Sequence, residues 1–211
     1  LESKKEETAR LIDEQGKLTE EISAAIANAV TLSELEDIYR PYRPKRRTRA
    51  TIAKEKGLEP LAEILIKQDI SDTSAENLAL DYIDAEKGVE TAEDALNGAM
   101  DIIAESISDN ADYRKAIRSM TMRSGMIVSK AAKDEDSVYR LYYDFSEPVS
   151  KLANHRLLAI NRGEKEGFLT VKLTVEEEPI INYLYRHLTP KKRAVTTEYV
   201  ERAAEDAYKR L

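Results

Sequence analysis

The clearest folding signal in this sequence of 211 residues lies in residues 91–109, TAEDALNGAMDIIAESISD. The stretch opens with Thr91-Ala92-Glu93-Asp94. Its apolar side chains then recur at the spacing of a single helix face, at Ala92, Ala95, Leu96, Ala99, Ile102 and Ile103. This periodicity predicts an amphipathic helix that buries one face against its neighbours.

Helical periodicity extends to both sides of this stretch. A second apolar face precedes it and ends at a break at Gly88; it consists of Ala75, Leu78, Ala79, Tyr82 and Ile83. A third face follows it, formed by Tyr113, Ala116, Ile117 and Met120, in a helix that we expect to run toward Lys133. Together these segments predict a helical bundle.

The first part of the chain is predicted to form short helices that stop at Pro41 and Pro44. We predict that residues 39–51 form a loop. Beyond it, Ala53 and Gly57 have the spacing of a helix-turn-helix, in which a small residue lets two helices cross closely. This segment is either a tight helix corner or a DNA-binding element. Glu59 at the start of the second helix argues against base reading, because its carboxylate would face phosphate.

One stretch has strand character. In residues 168–175, apolar Leu169, Val171, Leu173 and Val175 alternate with polar side chains. A lone strand is not stable, so its partner is an unidentified segment of this chain, a neighbouring molecule or a part of the protein outside this sequence. The predicted fold is therefore mainly α: a multi-helical bundle with a helix-turn-helix-like element and a small β element near residues 167–175.

Charge is unevenly distributed along the chain, whose net charge is −7. Residues 69–109 contain twelve of the forty acidic residues but only one of the thirty-three basic ones, Lys87. The rest of the chain is mildly basic, and two runs, residues 40–54 and 113–133, contain cations and no acid. The overall acidity argues against a simple nucleic-acid binder, whereas the basic runs could contact phosphate.

The first basic run carries the strongest functional signal. Cations and tyrosines alternate there without a carboxylate, a composition that suits phosphate neutralisation and base stacking. The candidate nucleic-acid-binding residues are Arg40, Tyr42, Arg43, Lys45, Arg46, Arg47, Arg49 and Lys54, and Tyr39 is a second stacking candidate. The alternatives are a solvated loop and a segment that docks on the acidic helices of residues 69–109 or on a protein partner.

Catalytic chemistry is not predicted. The absence of Cys excludes thiolate nucleophiles and Cys-based metal sites, and the two histidines, His155 and His187, lack metal-ligand spacing. The segment from Gly163 to Gly167 lacks the glycine density of a phosphate-binding loop. We therefore expect no enzyme activity, no metal and no cofactor.

The chain has no apolar stretch of about 18 residues and no signal-peptide pattern, so we expect a cytoplasmic protein without membrane contact. It begins at Leu1 rather than Met and ends at Leu211 within a predicted helix. These features lead us to expect a portion of a longer protein.

Several segments resemble the Tex family of bacterial transcription-accessory proteins. They are residues 14–19 (EQGKLT), 38–62 with PYRPKRRT at 41–48, 82–89 (YIDAEKGV), 144–148 (DFSEP) and 155–167. The resemblance implies helical N-terminal parts followed by an RNase H-like domain, helix-hairpin-helix elements and an OB-fold domain that is the main nucleic-acid binder. On this basis residues 1–133 form a helical N-terminal region, and residues 134–211 lead toward those domains.

The resemblance also implies the partners. They are RNA or DNA, bound weakly by this part alone, RNA polymerase or a transcription complex, and the downstream RNase H-like and OB-fold domains of the parent chain. The expected role is a nucleic-acid-associated scaffold, and the alternative is a protein-interaction or architectural module.

Overall fold

The computed structural model describes residues 1–44, 47–69 and 73–211. They form two compact units. The first, here called the helical unit, comprises Leu1–Lys115 and Ile181–Leu211, and the second, the sheet unit, comprises Ala116–Ile180. The predicted division of the chain at residue 133 stays a prediction.

The described elements confirm the predicted mainly-α fold with a small sheet. In chain order they are α1 (Glu2–Asp13), α2 (Glu20–Asn28), α3 (Leu32–Tyr39), α4 (Arg49–Glu55), α5 (Glu59–Lys67), α6 (Ala75–Leu80), α7 (Ala92–Asp109), α8 (Ala111–Ser124), β1 (Met126–Ala131), β2 (Asp144–Pro148), α9 (Asn154–Lys165), β3 (Leu169–Thr174), α10 (Glu177–Leu188) and α11 (Thr197–Lys209). Short 3-10 turns, including one at Arg40–Tyr42, connect some of them.

Helix α7 is the centre of the helical unit. It begins with a capping box, in which Thr91 Oγ1 accepts a hydrogen bond from the Asp94 amide and an Asp94 carboxylate oxygen accepts one from the Thr91 amide. Its face, which includes Ala95, Ala99 and Ile103, is fully buried against α4, α5, α6 and α11. The helix predicted from residues 91–109 is therefore confirmed. Its alanines leave room for the neighbouring helices to approach closely.

Helices α1, α2 and α3 enclose a small apolar cluster of their own. Ile12, Ile26, Ala29 and Leu35 form it, and all four are buried. Helix α2 begins at a polar cap, since Thr19 Oγ1 accepts a hydrogen bond from the amide of Ile22 at 3.2 Å. This cluster forms the support on which the basic segment begins.

Tyr199 links α11 to α6. It is 8% exposed, and its hydroxyl donates a hydrogen bond to Glu76 at 2.7 Å. Burial first, and then this bond to a carboxylate, raise the pKa of Tyr199 to about 12, because both favour the protonated hydroxyl. The same bond lowers the pKa of Glu76.

This raised pKa predicts a loss of stability at alkaline pH. The folded state holds the Tyr199 proton up to about pH 12, whereas the unfolded chain releases it near the ordinary tyrosine pKa of 10.0. The stability contributed by Tyr199 is thus complete below pH 10 and is lost as pH rises toward 12. We expect the difference in unfolding free energy between the parent and Tyr199→Phe to shrink over that window in urea titrations. A constant difference would contradict this assignment.

The sheet unit contains an antiparallel sheet with the strand order β2-β1-β3. Ile127 pairs with Glu147 on one side and Leu173 on the other, so β1 is the central strand. Helix α9 packs on β3 and buries Ile160 and Gly163. The predicted β element near residues 167–175 is therefore confirmed, and its partner is a segment of this chain.

One sequence prediction about this region was wrong. The helix expected to run toward Lys133 ends at Ser124, and Met126–Ala131 forms β1. Gly125, directly after Ser124, is a local signal of a helix end that the prediction overlooked, because glycine is common just past the last residue of a helix. The β-branched residues Ile127 and Val128 gain from pairing with two distant strands, and single-segment periodicity does not reveal that gain.

Candidate nucleic-acid interface

The basic segment, residues 39–54, is more ordered than the loop predicted for residues 39–51. Tyr39 is the last residue of α3, a 3-10 turn follows at Arg40–Tyr42, and α4 begins at Arg49 with Thr48 as its cap. Thr48 Oγ1 accepts a hydrogen bond from the Thr51 amide at 3.0 Å. The candidates Lys45 and Arg46 lie outside the described residues.

Two of the described arginines of the segment form ion pairs with α7. Arg40 Nε lies 2.9 Å from a carboxylate oxygen of Asp109, whose side chain is only 9% exposed. Arg49 Nε lies 3.2 Å from Asp101, and its Nη2 lies 3.1 Å from Asp206 in α11. The side chains of Arg40 and Arg49 remain 41% and 63% exposed, respectively, so these pairs leave them accessible.

The other described cations of the segment lie at the surface. Arg47 pairs with Glu55 and Lys54 with Glu59, each at 2.9 Å and with both partners solvent-exposed. Such pairs contribute about 0–1 kcal/mol, so a phosphate could replace the carboxylate at little cost. Arg43 is exposed and has no carboxylate partner within residues 1–44, 47–69 and 73–211.

The two tyrosines are less available than the cations. Tyr39 and Tyr42 are half-buried and pack against the apolar cluster of α1–α3. The carbonyl of Tyr42 also accepts a hydrogen bond from Gln15 Nε2 at 2.8 Å. These contacts hold the start of the basic segment in place. The stacking role of the tyrosines stays a prediction.

The predicted helix-turn-helix-like element is formed by α4 and α5. Gly57 joins them with a φ of +82°, a conformation that glycine adopts without strain. The inner face of α5 packs on α7, and its buried residues are Leu61, Ala62 and Leu65. Glu59, in its first turn, pairs with Lys54. The element is thus a tight corner seated on the core, with an acid at the start of its second helix.

Part of the second basic run, residues 113–133, is used internally. Arg114 Nε lies 2.7 Å from the 6% exposed side chain of Asp37. Lys115 lies 2.8 Å from Glu34; this hydrogen bond raises the pKa of Lys115 and lowers that of Glu34. These partners tie the start of α8 to α3. Sequence reasoning did not identify them, because they are nearly 80 residues apart.

Sequence reasoning also missed Arg210. It lies in the helical unit beside Arg49, and its Nη2 is 2.8 Å from Asp101 and also contacts Asp206. Arg49, Arg210, Asp101 and Asp206 therefore form one network that joins the start of α4 to α7 and the end of α11. No sequence signal could have identified this network, because residues 49 and 206 are 157 positions apart.

The histidines occupy unrelated positions. His155 is exposed on α9, and the His187 ring lies 4.3 Å from that of Tyr183 on α10. In the described part of the chain, no three His, Asp or Glu side chains converge as a metal site would require. None of the described helices combines the length and apolar character needed to cross a bilayer.

Comparison with known proteins gives a consistent result. Residues 71–209 match the family model described as Tex central region-like. The chain is 45% identical over 215 residues to Uncharacterized protein YdcI of Bacillus subtilis, covering 100% of this chain and 30% of that relative. It is 35% identical over 181 residues to Transcriptional accessory protein Tex of Neisseria gonorrhoeae, covering 84% of this chain and 23% of that protein.

A eukaryotic relative is also similar. S1 RNA-binding domain-containing protein 1 of Homo sapiens is 30% identical over 181 residues, covering 81% of this chain and 18% of the relative. The chain therefore spans less than a third of the length of each of these relatives. The names of the Neisseria and human relatives describe transcription and RNA binding, and neither names an enzymatic activity.

Proposed function

The chain belongs to the Tex family, and on that basis we propose that it is a non-catalytic, nucleic-acid-associated scaffold region of a transcription-accessory protein. The names of the Neisseria and human relatives support an association with transcription and RNA. The observation that carries the proposal is the set of accessible cations in residues 40–54. Arg43, Arg47 and Arg49 each present an exposed guanidinium group there.

In this proposal the basic segment follows a nucleic-acid backbone. The cations are those of Arg40, Arg43, Lys45, Arg46, Arg47, Arg49 and Lys54. Arginine suits this role because its planar guanidinium binds phosphate oxygens in pairs. Recognition of phosphates gives affinity without sequence preference, as a scaffold requires. Tyr42 and Tyr39 would stack on bases only through the solvent-exposed parts of their half-buried rings.

A salt titration tests the proposal. Each phosphate contact with a single strand contributes about 0.7 to the slope of log affinity against log salt. We expect Arg43→Ala, Arg46→Ala and Arg47→Ala combined to flatten the slope for single-stranded RNA by about 2. Fluorescence anisotropy between about 50 and 200 mM salt would measure it.

A control variant removes three cations elsewhere: Lys4, Arg10 and Lys17, all exposed and in or just after α1. It makes the same change in net charge and should leave most of the slope intact. Equal flattening by both variants would show a general charge effect rather than a contact surface. Absence of RNA and DNA binding by the parent chain would assign nucleic-acid binding to other parts of the full-length protein.

A second function is favoured by a specific observation. Arg40 and Arg49 contact Asp109 and Asp101 of α7, so the basic segment also fits an architectural role. A variant that combines Arg40→Ala and Arg49→Ala distinguishes this architectural role from phosphate contact. Loss of stability with unchanged RNA affinity would support the architectural role, whereas weaker RNA binding at unchanged stability would support phosphate contact.

A further inference from the structure

A cleft of about 520 Å³ in the helical unit has four arginines among the described residues that line it. Arg40, Arg43 and Arg49 come from the basic segment, and Arg210 comes from the far end of the chain. The volume falls within the range of ligand-binding clefts, about 300–1,000 Å³. The cleft is therefore formed by residues that are far apart in the sequence, and not by the basic segment alone.

The described lining of the cleft contains more arginines than carboxylates. Four guanidinium groups face two carboxylates, Glu105 and Asp109. The acids that pair with Arg49 and Arg210, namely Asp101 and Asp206, are not among the lining residues. Thr48 adds a hydroxyl group to the lining. Counting Asp101 and Asp206, four carboxylates match the four arginines, so the attraction for an anion comes from Arg43, which has no carboxylate partner among the described residues.

The guanidinium groups retain donors for a ligand. The ion pairs engage Nε of Arg40, Nε and Nη2 of Arg49, and Nη2 of Arg210. Each guanidinium carries five N–H donors in a planar fork. Arg43 has no carboxylate partner in the described part of the chain. The arrangement thus holds three arginines in place through acids and leaves the fourth available.

One donor at this cleft needs an acceptor. Arg210 Nε is buried and has no hydrogen-bond partner among the described residues. An unsatisfied buried donor is destabilising, and such donors are rare in native proteins. An oxygen-rich anion beside the guanidinium would supply the acceptor after a small rotation of the side chain.

We infer that this cleft binds a single phosphate group of a nucleic-acid backbone, held by Arg43 and by the guanidinium groups of Arg40, Arg49 and Arg210. Phosphate fits better than a carboxylate because it offers more oxygens to several forks at once. The inference rests on the proposed function for the source of the phosphate, since a free phosphate has the same chemistry. The ion-pair network then holds the arginines around a phosphate-binding site between the start of α4 and the end of α11.

The test uses the intact chain and two probes. Sodium phosphate is titrated against sodium chloride at equal ionic strength while the arginine Nε–H resonances are followed by NMR, and RNA affinity is measured with a single-stranded oligouridylate. Arg43→Gln removes the unpaired cation of the cleft. Arg47→Gln is the matched control, because Arg47 is an exposed cation of the same segment that does not line the cleft.

We expect phosphate to shift the Arg210 Nε–H resonance. We also expect Arg43→Gln to weaken both phosphate and RNA binding about tenfold, the loss of one charge-assisted hydrogen bond, and Arg47→Gln to change phosphate binding less than about twofold. Unchanged thermal stability of Arg43→Gln would show that the fold is intact.

Two results would overturn the inference differently. If phosphate shifts no arginine resonance and both variants weaken RNA binding equally, the cleft is not a phosphate-binding site, although the proposed function of the basic segment stands. If Arg43→Gln abolishes phosphate binding while RNA affinity is unchanged, the cleft binds a free phosphate, and the assignment to nucleic acid fails together with that part of the proposed function.

Discussion

Asp37→Ala is expected to lower the free energy of unfolding by about 3–5 kcal/mol, the usual cost of removing one partner from a buried ion pair. Asp37 is 4% exposed, and its carboxylate lies 2.7 Å from Arg114 Nε, whose side chain is 16% exposed. Without the carboxylate, the half-buried guanidinium would keep the Ser108 carbonyl, at 3.2 Å, as its acceptor. The charge would then have to be hydrated or move, and either change loosens α8 from α3.

Glu36→Ala is the matched control for this prediction. Glu36 is the neighbouring residue of α3, carries the same charge and is exposed. Urea denaturation of both variants, followed by circular dichroism, measures the difference. We expect Glu36→Ala to change stability by less than about 0.5 kcal/mol, as at most surface positions. Equal effects of the two variants would show that the buried pair contributes nothing beyond helix propensity and net charge.

Gly98→Val is expected to destabilise the helical unit by about 2–3 kcal/mol through overpacking. A Cβ at position 98 would overlap Cδ1 of Leu58 and lie 3.4 Å from Cβ of Ala53. Leu58 is 1% exposed and Ala53 is 3% exposed, so neither has space to move away. The α4–α5 corner would have to shift away from α7, and the basic segment that leads into α4 would shift with it.

Asn97→Val is the control for placing a β-branched side chain in α7. Asn97 is the neighbouring residue of α7 and is exposed, so the same side chain there meets solvent. We expect its effect to stay below about 1 kcal/mol. If the two valine variants unfold at the same urea concentration, the close approach at Gly98 does not limit the packing of the corner.

The helices could be predicted from the sequence because their signals are local. The apolar stripe of residues 91–109 and the Thr91 cap specify α7 within a single segment, and the structure confirms both. Strand β1 could not be predicted in this way, since its stability depends on β2 and β3, which lie many residues downstream. Its sequence, MIVSKA, also lacks a regular alternation of apolar and polar residues, so it carries no clear local strand signal.

The candidate site divides along the same line. The cations of residues 40–54 lie close together in the sequence, so local composition was enough to identify the cluster. Their partners Asp101, Asp109 and Asp206 were not predictable individually, although the segregation of acids in residues 69–109 pointed to α7. Arg210 joins the arginine cleft only because α11 packs on α7.

By itself, the sequence determined the helical character, the capped start of α7, the uneven distribution of charge and the resemblance to the Tex family. Each of these depends on residue types within one turn, one face or one short motif. Only the tertiary structure decided the strand partners, the buried Asp37–Arg114 pair and the cleft that unites Arg43 with Arg210. The physical reason is that these contacts join residues far apart in the chain, and only the packing of the core specifies which distant side chains meet.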